Sequence, residues 1–179
     1  MICELRKFDI WEVWVKGLQM KRVYIFTDGA CLGNPGPGGY GAILRYRDKN
    51  RELSGGFADT TNNRMEIMGV IAALECLKEP CDVVVTTDSQ YVVNGIEKGW
   101  ARKWKAHGWM RNQKDKAQNA DLWDRLLKAI ARHKVKFEWI RGHSGHAENE
   151  RCDKLAVAAA EKDKLPPDVW FSKNYQEKY

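Results

Sequence analysis

Two short apolar runs, each ending beside an aspartate, constrain the fold of this chain more than any other feature. Val23 to Thr27 and Val83 to Thr86 are rich in β-branched residues, and the aspartates that follow are Asp28 and Asp88. The stretch between them is long enough for a helical crossover, and such a crossover joins strands that run parallel. We therefore expect two neighbouring parallel strands that bring both aspartates to one edge of a sheet.

The rest of the pattern predicts an α/β domain around a single mixed sheet. The glycine-rich turn GNPGPGG predicts an antiparallel hairpin to a strand near Tyr40 to Tyr46, and Leu53 to Phe57 completes a meander. A helix capped at residues 60–62 has apolar residues at helical spacing from Ile67 to Leu77 and stops before Pro80. The later predicted elements are a strand at Val135 to Ile140 and helices at Tyr91 to Glu97, Ala101 to Lys105, Asp121 to His133 and Asn149 to Lys162. The expected sheet has five strands, three antiparallel plus two parallel, flanked by helices.

Charge is concentrated in one segment of the chain. The 179 residues carry a net charge of +6, and the segment from Lys98 to Lys116 holds seven basic residues against one acid, Asp115. Tryptophans at positions 100, 104 and 109 are interleaved with these bases, a mixture that suits a nucleic-acid groove. The alternative is a solvated helical face with its tryptophans in the core, which we favour for Trp109 alone.

Cysteine usage and the first residues indicate an intracellular protein. The five cysteines are odd in number and contain no Cys-x-x-Cys pair, which disfavours a disulfide framework or a zinc knuckle. Glu4, Asp9 and Glu12 interrupt the start of the chain, so it fits neither a signal peptide nor a membrane span. We expect a cytoplasmic monomer that does not associate with membranes.

Four acidic residues are candidates for a metal site. Asp28 and Asp88 end the two parallel strands, Glu66 lies one turn into the following helix, and Asp153 lies early in the last one. Clustered carboxylates repel one another unless cations neutralise them. Oxygen ligands without histidine or cysteine select Mg²⁺ or Mn²⁺ over zinc, and paired sites of this kind hold two ions about 4 Å apart.

Five separated motifs carry a resemblance to a known family. They are TDGACLGNPGPGGYGAIL, TTNNRMEIMGVIAALE, VTTDSQYVVNGI, NADLWDRL and WIRGHSGHAENERCDKLA. In this order and spacing they resemble ribonuclease H type 1 of the bacterial kind, from about Met20 to the last helix. The resemblance implies a ribonuclease H-like fold and an endonuclease that cuts the RNA strand of RNA–DNA hybrids, such as RNA primers and R-loops.

The same resemblance assigns roles to the acidic residues. It implies that Asp28, Glu66, Asp88 and Asp153 hold two Mg²⁺ ions, for which Mn²⁺ can substitute, and that cleavage leaves 5′-phosphate and 3′-hydroxyl ends. It also implies that His143, in the loop GHSGH, assists proton transfer or product release. A plain loop residue is the alternative for His143, because its ordinary pKa near ~6.5 suits proton transfer without proving it.

Contacts with the hybrid are also implied by the resemblance. Positions expected to contact the minor groove are Gly33, Asn34, Asn62, Asn63 and Gln90. Thr61 is expected to hold a DNA phosphate, although a helix cap is an equally good explanation for it. The basic segment matches the family's basic protrusion, where the expected DNA-contacting residues are Trp100, Arg102, Lys103, Trp104 and Lys105.

The predicted catalytic domain spans residues 20–164. Residues 1–19 form an extension of unknown role, either preceding a true start at Met20 or packing on the sheet or substrate. Residues 165–179 form a tail, either a flexible extension or a docking segment.

Three rival functions are possible for a chain of this pattern. The first is a DNA nuclease, resolvase or integrase; the second is a non-catalytic hybrid-binding module; and the third is a ribonuclease H domain of a reverse transcriptase. The asparagines placed for 2′-hydroxyls disfavour the first rival, and the complete set of carboxylates disfavours the second. The intact basic segment disfavours the third.

Overall fold

The computed structural model describes residues 20–176. Its elements in chain order are β1 Lys21–Cys31, β2 Gly36–Tyr46, β3 Lys49–Thr60, α1 Asn62–Glu75, β4 Cys81–Thr87, α2 Gln90–Glu97, α3 Trp100–Ala106, α4 Ala120–Ile130, β5 Lys134–Trp139, α5 Ala147–Ala160 and α6 Val169–Gln176. The extension at residues 1–19 lies outside the described residues. Among the helices described, none is both long and apolar enough to cross a bilayer.

The five strands form one mixed sheet in the order β3-β2-β1-β4-β5. β2 pairs antiparallel with β1 and β3, whereas β4 pairs parallel with β1 and β5. This confirms the sheet predicted from the sequence. The parallel register between β1 and β4 ends at Thr27 opposite Thr87. Asp28 and Asp88 are therefore the next residues along the two paired segments.

Helices cover both faces of the sheet. α1 contacts β1 and β2 and packs against α4, while α5 contacts β1, β2 and β3. α5 can approach β2 because Gly41 has no side chain, and a Cβ there would collide with the backbone oxygen of Cys152. Since Gly41 pairs with Asp28 and Cys152 precedes Asp153, this close approach brings the part of α5 that carries Asp153 near Asp28.

The predicted helix boundaries are correct to within a few residues. The largest difference at α1 is its end, which lies at Glu75 rather than at Leu77. The physical reason is Pro80, because it has no N–H to donate to the carbonyl of Cys76 and its ring would clash with that carbonyl, so the helix cannot continue through this turn. Leu77 lies just past the helix and still packs against the core.

The tail contains a helix that the sequence reasoning missed. Asp168 is buried and accepts hydrogen bonds from Arg64 Nε at 2.6 Å and from the Thr60 hydroxyl at 3.0 Å. Its carboxylate also accepts the backbone N–H of Phe171 at 3.2 Å, which caps α6. The signal was present as an aspartate between Pro-Pro and an apolar stretch. Residues 166–174 therefore pack on the domain.

Candidate active site

Three of the four predicted carboxylates meet at the edge where the parallel strands end. Oxygen atoms of Asp28, Glu66 and Asp88 all lie within 4.8 Å of one another. Two come from neighbouring strands, and Glu66 is the fifth residue of α1, whose N-terminal turn follows β3. The sheet register and the crossover helix thus bring together residues that are 60 positions apart in sequence.

Burial makes this cluster electrostatically costly. Asp28 is 6% exposed and Glu66 is 7% exposed. Burial, then the charges of Asp88 and Asp153, raise the pKa of Asp28 from its ordinary 3.8 to about 7, against a hydrogen bond from the Gly29 N–H. Burial, then the charges of Asp28 and Asp88, likewise raise the pKa of Glu66 well above its ordinary value, against a hydrogen bond from Asn62. The cluster therefore favours either bound protons or a bound cation.

The donor set fits a hard divalent cation. Glu66 Oε2 is buried without a hydrogen-bond partner in the described chain, and no lysine or arginine forms an ion pair with the three carboxylates there. Oxygen-only ligands at this spacing suit Mg²⁺ or Mn²⁺. A cation between them would relieve both the mutual repulsion and the unpaired buried oxygen.

Asp153 lies at the margin of this cluster. It is half-buried on α5, and its charge contributes to the raised pKa of Asp28. Its carboxylate is not part of the group whose oxygens lie within 4.8 Å of one another. The structure thus brings three carboxylates together and places the fourth within electrostatic reach.

Asn149 is a site residue that the sequence reasoning missed. It is 3% exposed, its Nδ2 donates to Asp88 Oδ2 at 3.2 Å, and its Oδ1 is buried without a partner in the described chain. Gly142 also lies against Asp88, because a Cβ there would collide with the same oxygen. The available signal was spacing, since Asn149 precedes Asp153 by four residues and shares its helix face.

His143 lies in the loop between β5 and α5 and is exposed. Its φ of 51° is in the left-handed region, which costs energy for a residue with a side chain. It makes no hydrogen bond or ion pair with any residue from 20 to 176. His143 therefore follows Gly142, which lies against Asp88, but itself makes no polar contact with the three carboxylates in the described residues.

The residues expected to contact the minor groove form a connected edge beside Glu66. Asn34 Oδ1 accepts the backbone N–H of Asn62 at 3.2 Å, and Asn62 Nδ2 donates to Glu66 Oε1 at 3.4 Å. Gly33 adopts a φ of 102°, which suits glycine in this tight loop. Thr61 occupies the N-cap position of α1, but its hydroxyl makes no capping hydrogen bond. Thr61 therefore occupies the position that a helix cap requires, without the side-chain hydrogen bond of such a cap.

Two further positions of this set are exposed. Asn63 is in the first turn of α1, and Gln90 begins α2 two residues after Asp88. Amide side chains thus lie next to Glu66 through Asn62, and follow Asp88 closely in the chain at Gln90.

The basic segment divides into exposed bases and partly buried rings. Arg102 and Lys103 are exposed on α3 without ion pairs in the described chain, whereas Lys105 Nζ lies 2.8 Å from Asp124 Oδ1. Trp104 packs against the core, with its ring centroid 6.2 Å from that of the buried Trp123. Trp100 lies 6.2 Å from Trp104 on its outer side.

Trp109 also packs against the core, as expected from the interpretation that places its ring there. Of the three interleaved tryptophans, Trp100 is the one that does not contact the core cluster. Among the expected DNA-contacting residues, Trp100, Arg102 and Lys103 thus neither pack on the core nor form an ion pair in the described part of the chain.

Comparisons with known proteins give consistent results. The RNase H family model matches residues 20–161. A ribonuclease H from Desulforamulus reducens is 63% identical over 150 residues, covering 84% of this chain and 94% of the relative. One from Trichodesmium erythraeum is 57% identical over 149 residues, covering 83% of this chain and 95% of the relative. The solved structure of LC9-RNase H1, a type 1 RNase H with the type 2 active-site motif, matches with a TM-score of 0.72 at 35% identity, covering 80% of this chain and 74% of that chain.

Proposed function

This chain belongs to the RNase H family as a type 1 member, and we propose that it hydrolyses the RNA strand of RNA–DNA hybrids with two divalent cations. The observation that carries the proposal is the meeting of three carboxylates, two of them buried, with no basic partner in the described chain, at the end of the parallel strands. Relatives named ribonuclease H that cover nearly the whole domain support it.

Asp28, Glu66, Asp88 and Asp153 would hold the cations, with Asp153 completing the set from the margin. When bound, Mg²⁺ or Mn²⁺ supplies an activated water and neutralises charge on the leaving 3′ oxygen, which gives 5′-phosphate and 3′-hydroxyl ends. Asn149 keeps Asp88 oriented through its amide. His143, exposed in its loop, would carry a proton to or from the reaction or assist product release.

Recognition of the hybrid would use groups on both sides of the carboxylates. The amides of Asn34, Asn62, Asn63 and Gln90, with the backbone at Gly33, would contact 2′-hydroxyls and base edges in the minor groove. Thr61 has a hydroxyl free of capping and would hold a DNA phosphate. The basic segment would contact DNA, with Trp100 and Trp104 against sugars or bases.

The bases of α3 differ in their expected contribution. Arg102 and Lys103 are free to contact phosphate, while Lys105 would first have to leave Asp124. We propose that the chain acts in the cytoplasm as a monomer, on RNA primers and on the RNA of R-loops, and that residues 20–164 form the catalytic domain.

The test is a comparison of four matched substrates of one sequence: hybrid, duplex RNA, duplex DNA and single-stranded RNA. Each is incubated with Mg²⁺, with Mn²⁺ and with EDTA, and Asp28→Asn is the control for contaminating nuclease. Cleavage of the RNA strand of the hybrid alone, and only with metal, is expected. Preferential cutting of duplex DNA would replace the proposal with a DNA nuclease, and binding without cutting would replace it with a binding module.

A further inference from the structure

A groove outside the carboxylate cluster is lined mostly by residues that the proposed function does not use. It lies between α2 and the end of β5, has a volume of about 350 Å³, and is lined by Gln90, Val93, Asn94, Lys98 and Trp139. Small-ligand pockets have volumes of roughly 300–1,000 Å³, so the groove is large enough for one small group.

Trp139 is exposed but held in one orientation. It is 46% exposed, an unusual state for so large an apolar ring at the end of a strand. Its indole N–H donates to the backbone oxygen of Asp88 at 2.9 Å. Because Trp139 pairs with Thr87 in the parallel register, the ring lies at the same sheet edge as the carboxylates. An aromatic ring that is exposed and held in place beside the proposed cleavage site can stack against a base of the substrate.

The other lining groups complement a nucleotide. Gln90 and Asn94 carry amides that can donate to and accept from base edges or sugar hydroxyls. Lys98 supplies a positive charge, and its Nζ lies 5.5 Å from the centre of the Trp100 ring. Lys98 therefore links the groove to Trp100, the first residue of α3.

We propose that this groove binds an unpaired nucleotide of the substrate next to the hybrid, with its base stacked on Trp139 and its phosphate near Lys98. A base inside a duplex is covered on both faces by its neighbours, and a terminal pair exposes one face, whereas an unpaired base can turn either face to the ring and reach it beside the hybrid. The inference rests on the proposed function for its substrate. It adds a preference for hybrids that are flanked by single strand.

The test measures dissociation constants by fluorescence anisotropy with the full chain in EDTA, so that the substrate is not cut. A blunt hybrid is compared with the same hybrid carrying a short 5′ RNA, 3′ RNA or DNA overhang, which identifies the strand. At least one overhang is expected to bind about fivefold or more tightly than the blunt hybrid, the low end for stacking of one base. Trp139→Ala should abolish this gain, Trp139→Phe should keep most of it, and Lys98→Ala should reduce it.

The ratio of overhang to blunt affinity is compared within each variant, because loss of the indole could also disturb Asp88 and weaken all substrates equally. Trp139→Ala keeps every charge, so it separates stacking from phosphate attraction. Tyr24→Ala removes another exposed aromatic of the sheet and should keep the full gain. An equal affinity for all four substrates in the wild type, or a gain that survives Trp139→Ala, would overturn the inference. Cleavage of the blunt hybrid with Mg²⁺ tests the proposed function separately.

Discussion

Replacing Asp28 by asparagine should stabilise the metal-free protein while abolishing hybrid cleavage. The pKa of Asp28 is 3.8 in ordinary surroundings and about 7 in the folded chain. Below pH 4 the carboxyl is protonated in both the folded and unfolded states, so it does not affect the free energy of unfolding. As pH rises from 4 to 7, only the unfolded chain releases the proton, and the free energy of unfolding falls. Above pH 7 the loss is complete and constant.

The magnitude follows from the same shift. A change from 3.8 to about 7 corresponds to a loss of about 4 kcal/mol at about 1.4 kcal/mol per pH unit. The introduced asparagine would keep an oxygen to accept the Gly29 N–H, which donates to Asp28 Oδ1 at 2.8 Å in the wild type. Its buried amide would lack a partner, at a cost of ~1–3 kcal/mol. The net gain at pH 8 is therefore about 1–3 kcal/mol. Near pH 4 only the cost of the amide remains, so the variant should be less stable than the wild type there by about 1–3 kcal/mol.

Urea denaturation in EDTA from pH 4 to pH 8 measures this difference. Asp82→Asn is the matched control, since Asp82 lies on β4 but is paired with Arg22, and its pKa is lowered rather than raised. The control should gain no stability at pH 8. Added Mg²⁺ should stabilise the wild type more than Asp28→Asn, because ligand binding favours the folded state. A variant less stable than the wild type at pH 8, or a difference independent of pH, would refute the electrostatic argument.

Three further predictions test other parts of the molecule. Asp168→Ala leaves the Arg64 guanidinium buried without one of its carboxylates, and should lower the free energy of unfolding in urea by about 3 kcal/mol; a decrease below about 1 kcal/mol would show that the tail does not stabilise the domain. Deletion of residues 1–19 should leave hybrid cleavage largely unchanged, since the family match begins at residue 20, and a weaker affinity for hybrid would assign the extension to the working domain. Replacing Arg102 and Lys103 by alanine should raise KM with little change in kcat. It should also flatten the slope of log affinity against log salt by about 0.7–0.9 for each phosphate that the variant no longer neutralises, and an unchanged slope would make α3 a solvated face.

Much of the site could be predicted from local sequence. Apolar runs of period two or 3.6 determine strands and helices, and the length of a crossover determines parallel pairing. From this, Asp28 and Asp88 had to lie side by side, as the register at Thr27 and Thr87 confirms. Glu66 was expected near them for a different reason, because it lies one turn into a helix on the side that faces the same edge of the sheet.

Other parts depended on contacts between residues far apart in the chain. Arg64 meets Asp168 across 104 positions, and Asn149 meets Asp88 across 61. A polar residue that will be buried looks locally like one that stays in water, because its partner leaves no periodic trace nearby. The same reason applies to two tryptophans. The sequence could not show that the ring of Trp104 packs against the core while the ring of Trp139 is exposed. The sequence by itself determined the sheet and the acidic edge, and only the tertiary structure decided which polar groups and rings are buried, because burial depends on packing by distant segments.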